Sequence, residues 1–328
     1  MRIPIWIPIF ISNSGPKGAP LIPSPGSGLR SSHSKLESAP LGAQGSLRLL
    51  GAHVSTSGGV ESSLPRARAI GATAMQIFTK QCSQWKEPFI SAETGSAFQR
   101  KARDLPLGST NAHDSYLINL ASPDPVLWTR SLISFVCELK RCRTLDLDLL
   151  VSHPGNFIDD RARGIARNAE AIAIALDLVP ARTRLLLETT AGSGTALGAT
   201  FEELAELIDR VGAPLNERIG VCMDTCHVFA AGYDIAHDYD GVMARFADVV
   251  GLERLGLMHL NDSKAPLGSR RDRHELIAEG ALGPEPFRRI MTDDRLVGVP
   301  KVIETPKLDD VEKTDRRMLR RLRRYAMG

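Results

Sequence analysis

Apolar residues along this chain gather into short runs, each set one helical stretch from the next. From Arg48 onward the runs are Leu49-Leu50-Gly51-Ala52, Ala74 to Phe78, a weak one before His113, Leu147 to Val151, Leu185-Leu186-Leu187, Ile219 to Met223, Leu255 to Met258, and Val302-Ile303. The segments between them carry helical punctuation. Ala162 to Leu178 is rich in alanine and leucine, and Val179-Pro180 ends it, because proline lacks the N–H that a continuing helix needs. Thr200 stands three residues before Glu203, the spacing of a capping box. Strands alternating with helices predict parallel βαβ units. Eight such units in the ~280 residues after Arg48 predict a (β/α)8 barrel, with a doubly wound open sheet as the alternative.

Residues 1–46 break this rhythm. They are rich in proline, glycine and serine and show little periodicity, so they are expected to be a disordered extension or the product of a mis-assigned start, ahead of a barrel domain over 47–328. The run Ile3 to Ile11 is short, holds two prolines and lacks a small-residue cleavage site, which argues against a signal peptide. No later stretch reaches the ~20 apolar residues of a membrane span. The five cysteines are scattered and odd in number, the usage of a reducing compartment, and a cytoplasmic protein is expected. Net charge is +3, but Arg2, Lys17, Arg30 and Lys35 stand against Glu37 alone in the extension. Taking these from the chain's 41 bases and 38 acids leaves 37 of each over 47–328. Bulk charge therefore gives no support for a nucleic-acid partner, and any such reading rests on the site.

The chemistry lies where the strands end. His53, His113, His153, Glu188, Asp224, His259 and Glu304 each follow or close an apolar run. From His113 onward the successive spacings are 40, 35, 36, 35 and 45 residues, about one βα unit each. Parallel strands bring their C-terminal ends to one rim, so these side chains are predicted to meet at a single mouth. Two loops add to the set. His227 lies three residues after Asp224, and Asp272 and His274 stand two apart, on one side of an extended segment. The result is five of the chain's eight histidines and four carboxylates. Zinc takes about four ligands and keeps one position open in catalytic sites, so nine nitrogen and oxygen ligands with one bridging carboxylate suit three ions. Imidazole and carboxylate without thiolate favour hydrolytic Zn2+, with Mn2+ an alternative at one or more positions. Three divalent ions against four carboxylates leave excess positive charge, which calls for an anionic substrate. Cys222 and Cys226 flank Asp224 and are read as packed thiols.

At these residues the chain resembles the endonuclease IV family. The match is carried by Gly220-Val221-Cys222-Met223-Asp224-Thr225-Cys226-His227 with Phe229 to Asp234, and by His259-Leu260-Asn261-Asp262-Ser263 continuing to Asp272-Arg273-His274. Gly51 to Ser55, His113 to Leu120, His153-Pro154-Gly155 and Glu188 to Gly192 fit as well, so the likeness spans roughly residues 48–305. The resemblance implies a xylose-isomerase-like TIM barrel holding three zinc ions. It implies cleavage of double-stranded DNA 5′ to an abasic site, leaving a 3′-hydroxyl, by a protein expected to be a monomer. His113, His153 and Glu188 would hold the first ion. Glu188 would bridge to a second, held by Asp224, His259 and Glu304, and His227, Asp272 and His274 would hold the third. Glu188 would be catalytic, orienting the attacking water, and His53 would lie beside the ligands. Tyr116 and Leu117 match side chains that the family inserts through the minor groove. The loop Thr79 to Trp85 matches its other inserting loop, but Ser83 replaces a frequent arginine there, which predicts altered DNA engagement. Lys80 and Trp85 remain as candidates for phosphate or stacking contacts. Ala278 stands where the family usually has glycine and Ser193 where it often has glutamine. The arginine pairs between Arg316 and Arg324 are expected to form a solvated helix face opposite an apolar stripe at Met318, Leu322 and Tyr325.

Two rival readings use the same residues. A sugar isomerase or epimerase would suit Glu188, Asp224, His259 and Glu304. The additional His113, His153, His227, Asp272 and His274 argue against it. A silent DNA-binding or scaffold protein would be free to lose ligands, and all nine are present.

Overall fold

The computed structural model describes residues 48–327, and the expected extension over 1–46 lies outside the described residues. Eight parallel strands close into a barrel: β1 (Leu50–His53), β2 (Ala74–Phe78), β3 (Ser109–His113), β4 (Leu149–Ser152), β5 (Arg184–Glu188), β6 (Ile219–Asp224), β7 (Leu255–His259) and β8 (Lys301–Ile303). Each pairs with its neighbours in sequence, and β8 pairs back onto β1 with Gly51 opposite Val302. The open sheet is thereby excluded. The helices are α1 (Ser63–Ala69), α2 (Ala92–Arg103), α3 (Pro125–Leu145), α4 (Arg161–Leu178), α5 (Phe201–Val211), α6 (Thr225–Ala231), α7 (Tyr239–Val249), α8 (Glu285–Thr292) and α9 (Val311–Tyr325). Among the described residues, no helix is long and apolar enough to cross a membrane.

Strand alternation sorts the core into two layers. Outward positions such as Met75, Ile77, Leu150, Leu185, Leu187, Val221, Met223 and Ile303 join one large cluster with the helices. Inward positions Val151, Leu186, Cys222, Leu257 and Val302 form a separate small cluster inside the barrel. Side chains two apart on a strand share a face. Each inward apolar residue is therefore followed two positions on by a site residue: His153, Glu188, Asp224, His259 and Glu304. The apolar plug supports the cluster from below.

The helix signals hold with small shifts. α4 runs from Arg161 to Leu178 and is capped by Asp160, whose side chain accepts from the Arg163 N–H. Thr200 caps α5 by accepting from the Glu203 N–H at 3.2 Å. The Glu203 carboxylate reaches back past Thr200 and accepts from the N–H groups of Gly198 and Ala199 at 2.8 and 3.0 Å. β3 was weak in the sequence for a visible reason. Ser109 and Asn111 face inward and bond to each other, Ser109 Oγ donating to Asn111 Oδ1 at 2.9 Å, so this strand lacks the apolar alternation of its neighbours.

Candidate metal centre

Glu188 stands at the centre of the mouth, 1% exposed. Its Oε2 lies 3.0 Å from His113 Nε2 and 3.1 Å from His153 Nε2. Its Oε1 lies 2.9 Å from His259 Nδ1 and 3.4 Å from His227 Nδ1. One carboxylate thus divides its two oxygens between two sets of neighbours. Asp224 does double duty because it ends β6 and caps α6. Its Oδ1 accepts from the His227 N–H at 2.9 Å, and its Oδ2 accepts from Asn261 Nδ2 at 2.6 Å. A third group forms where the loop after β7 folds back. Asp272 places Oδ2 3.3 Å from His227 Nε2 and Oδ1 3.2 Å from His274 Nε2.

All nine residues singled out in the sequence meet here. Ligand atoms lie within 4.8 Å of one another in the sets His113–His153–Glu188, Glu188–Asp224–His259–Glu304 and His227–Asp272–His274. Glu188 belongs to two of the sets. Cys222 also approaches Glu188 and His259, and Cys226 approaches Asp224 and His274. Burial pushes the Cys222 thiol well up and Cys226 to about 12, so both stay protonated at neutral pH, and Cys222 packs into the apolar plug.

The ring orientations are set from outside the cluster. His113 Nδ1 donates to the Asp114 carbonyl at 2.8 Å, and His227 Nδ1 donates to the Thr189 carbonyl at 2.8 Å. His259 is reversed. Its Nε2 donates to Gln76 Oε1 at 2.9 Å, which turns Nδ1 toward Glu188. Gln76 also donates from Nε2 to Glu304 Oε1 at 2.8 Å. Asn261 accepts from the Glu304 N–H at 2.8 Å while holding Asp224. Such outer hydrogen bonds fix the tautomer and direction of metal ligands. Sequence reasoning missed Gln76 and Asn261. The available signals were a glutamine inside the apolar run of β2 and an asparagine two residues beyond His259.

Burial alone would neutralise these carboxylates, but their imidazole neighbours reverse the effect. Glu188 is held well below the carboxylate range by His259, His153 and His113. Glu304 is held down against burial chiefly by His259. The histidines respond in kind: against burial, Glu188 raises His113 to about 10, Asp224 and Asp272 raise His227 well up, and Glu304 and Glu188 raise His259. The anionic centre therefore demands positive charge beside it, and divalent cations fit that demand. The donors are imidazole nitrogen and carboxylate oxygen, the set favoured by hydrolytic Zn2+ or Mn2+. His274 Nε2 is buried without a hydrogen-bond partner among the described residues, facing Asp272 and Asp224.

Two hollows flank the cluster. One of about 740 Å3 is lined by His53, Phe78, Gln81, Cys82, Phe89 and Lys307. Another of about 220 Å3 is lined by His153, Asn156, Thr190, Gly192, His227 and Asp272.

Residues 64–324 match a family model described as a xylose isomerase-like TIM barrel. A protein of Chloroflexus aurantiacus called probable endonuclease 4 is 46% identical over 284 residues, covering 85% of this chain and 98% of that protein. The crystal structure of endonuclease IV from Thermus thermophilus superposes with a TM-score of 0.75 at 35% identity, over 84% of this chain and 99% of that one. The chain belongs to the endonuclease IV family. D-psicose 3-epimerase from Clostridium cellulolyticum shares 18% identity with a TM-score of 0.57, covering 84% of this chain and 95% of that one, a likeness of fold alone.

Around the mouth, the positions expected to meet DNA differ in availability. Tyr116 is 60% exposed, packed edge-on to Phe78 at 5.3 Å and stacked 6.3 Å from His153. Leu117 beside it is half-buried. Lys80 corrects an expectation. Its side chain is buried, with Nζ donating to Glu87 Oε1 at 2.6 Å and to Ser134 Oγ at 2.9 Å, so it is not free to meet a phosphate. Trp85 is half-buried, and Arg130 lies over its ring at 4.5 Å. His53 sits at the edge of the cluster, its Nδ1 3.1 Å from Glu304 Oε1, and burial lowers its pKa so that it stays neutral. Ser193 Oγ donates to the Arg270 carbonyl at 2.5 Å, tying the loop after β5 to the loop after β7. The apolar stripe of α9 docks as expected at Met318 and Leu322. Four of its arginines do more than face solvent: Arg316 and Arg323 donate to the carbonyls of Ala69 and Gly71, and Arg317 and Arg321 pair with Glu279 at 3.4 and 2.9 Å.

Proposed function

We propose that this protein is an abasic-site endonuclease that hydrolyses the DNA phosphodiester 5′ to the lesion, leaving a 3′-hydroxyl and a 5′-deoxyribose phosphate, and that it also trims blocked 3′ ends. The observation that carries this reading is the division of Glu188 between two ligand sets, with a third set at His227, Asp272 and His274 beside them. His113, His153 and Glu188 would hold one zinc ion, Glu188, Asp224, His259 and Glu304 a second, and His227, Asp272 and His274 a third, with Mn2+ an alternative. Bound there, the ions supply positive charge that stabilises the phosphate and the departing 3′ oxygen and makes water acidic enough to attack at neutral pH.

The chain's own residues do the rest. Glu188 is the catalytic group: as an anion fixed between four imidazoles it orients the attacking water. Gln76 and Asn261 hold the rings and carboxylates in place. The four carboxylates leave three divalent ions with excess positive charge, which selects an anionic substrate over a neutral sugar. Tyr116, with Leu117 behind it, stands at the rim where a side chain entering the minor groove would take the space of a missing base. Turning out an abasic nucleotide costs less because its pairing is already lost.

The test is one gel with two proteins. Zinc-loaded protein and its Glu188→Gln variant are incubated with a labelled duplex carrying one abasic-site analogue. The proposal expects a cut 5′ to the lesion with a 3′-hydroxyl end from the native protein and its loss in the variant. Failure of the folded, zinc-loaded native protein to incise would overturn the reading and turn attention to sugar isomerisation.

A further inference from the structure

Two loops form one bank of the mouth, and both rest on the same helix. The segment after β2 is pinned to α3 through a buried ionic network. Lys80 pairs with Glu87, Arg141 Nη1 reaches Glu87 Oε2 at 2.7 Å, and Arg141 Nε donates to Thr79 Oγ1 at 2.7 Å. The segment after β3 is pinned nearer the start of the same helix, where the Asn119 N–H donates to Ser131 Oγ at 3.0 Å. The two segments are joined by Ser115 Oγ donating to the Cys82 carbonyl at 2.6 Å. This bank is therefore tied to α3 at several points. Lys80 is neutralised and buried. Ser83 is exposed and uncharged. Lys86 is exposed on a flexible side chain.

Arg130 differs from all of these. It sits on α3 beside Ser131, is exposed, and forms no ion pair or hydrogen bond among the described residues. Its guanidinium carbon lies 4.5 Å from the centre of the Trp85 ring. Stacking on an aromatic face fixes a guanidinium while leaving its in-plane N–H groups free, the arrangement that suits bidentate capture of a phosphate. The opposite bank is also basic. β3 and β7 lie four strands apart in an eight-stranded barrel, directly across the mouth, and the loop after β7 exposes Arg270, Arg271 and Arg273. On the β2–β3 bank, Arg130 is the exposed cation that an aromatic ring holds in place for a polyanion crossing the metal centre.

We propose that Arg130, held over the Trp85 ring, binds a backbone phosphate of the substrate duplex on the β2–β3 bank. This rests on the nuclease reading above. Neither residue reaches the metal ligands, so Arg130 positions substrate without taking part in the cleavage step.

The experiment measures incision of an abasic-analogue duplex by zinc-loaded native, Arg130→Ala, Arg130→Lys and Trp85→Ala proteins across a range of salt. For Arg130→Ala, kcat at saturation is unchanged, kcat/KM falls on the order of tenfold, and the slope of log(kcat/KM) against log[salt] becomes shallower by about one. Arg130→Lys keeps the native salt slope because it keeps the charge. Trp85→Ala keeps the slope but loses part of kcat/KM, because the cation is present but no longer fixed. A native salt slope and native kcat/KM in Arg130→Ala would overturn the assignment. Absence of incision by the native protein would instead overturn the nuclease reading.

Discussion

Gln76 shows how one side chain can order several ligands. It is fully buried on β2, accepts from His259 and donates to Glu304, and so couples a histidine of one strand to a carboxylate of another. Replacing it with leucine removes both restraints at nearly constant volume. The expected result is a loss of zinc affinity of roughly 10–100-fold, read by competition with a chelator, while the far-ultraviolet circular dichroism stays native. Ala278 carries a different strain. Its φ is +61°, in the left-handed region that costs an L-residue energy and costs glycine none. Ala278→Gly should stabilise the protein by about 0.5–1 kcal/mol in urea denaturation; a destabilised variant would contradict the strain. The nine candidate ligands were legible in the sequence because each is an ionisable residue that ends a strand or lies in the segment that follows one, His227 in the first turn of α6. Gln76 was not, since a glutamine inside an apolar strand carries no sign of which face it occupies until the register is known. Lys80 was misread for a related reason: its partner Glu87 is close in sequence, but Ser134 and Arg141 arrive from α3.

At the scale of elements, the barrel converts a sequence rhythm into a focus. Seven strands contribute a residue to the mouth, and inward parity places five of these residues two positions above the apolar plug. This much could be read from spacing. The weak β3 could not be read from apolar content, because its inward side chains are Ser109 and Asn111. Convergence of charge also fixes the proton inventory. In the metal-free protein His113, with its pKa raised from 6.5 to about 10, holds a proton at pH 7, and His227 and His259 are shifted in the same direction by their carboxylate neighbours. Metal ligation requires neutral imidazole, so loading displaces the proton of His113 and any held by His227 and His259. Calorimetry of zinc binding in buffers of different ionisation enthalpy should report that release, and zinc affinity should weaken as pH falls below neutrality. The sign for the metal-free fold is opposite. A raised histidine pKa contributes stability that is complete below 6.5 and is lost as pH rises through about 10. A buffer-independent binding enthalpy would contradict this inventory.

For the whole molecule, binding and folding are linked through Glu188. The cluster joins strands from around the barrel, so ions that bind only the folded chain stabilise it globally. At zinc a thousandfold above its dissociation constant the gain is about 4 kcal/mol, or roughly 10 °C in the melting midpoint. Chelation followed by calorimetric melting should show a fall of that order, reversed by zinc. The electrostatics of the whole chain carried little information, since the body over 47–328 is balanced. The functional reading comes from local excess charge at one rim. The most direct test of that reading is the metal content of the purified protein after zinc reconstitution and dialysis, measured by mass spectrometry beside Glu188→Gln. The account predicts three zinc ions per native chain and fewer in the variant, because one carboxylate serves two of the sets. A folded native chain that retains no zinc, or a variant that retains the full native content, would contradict it.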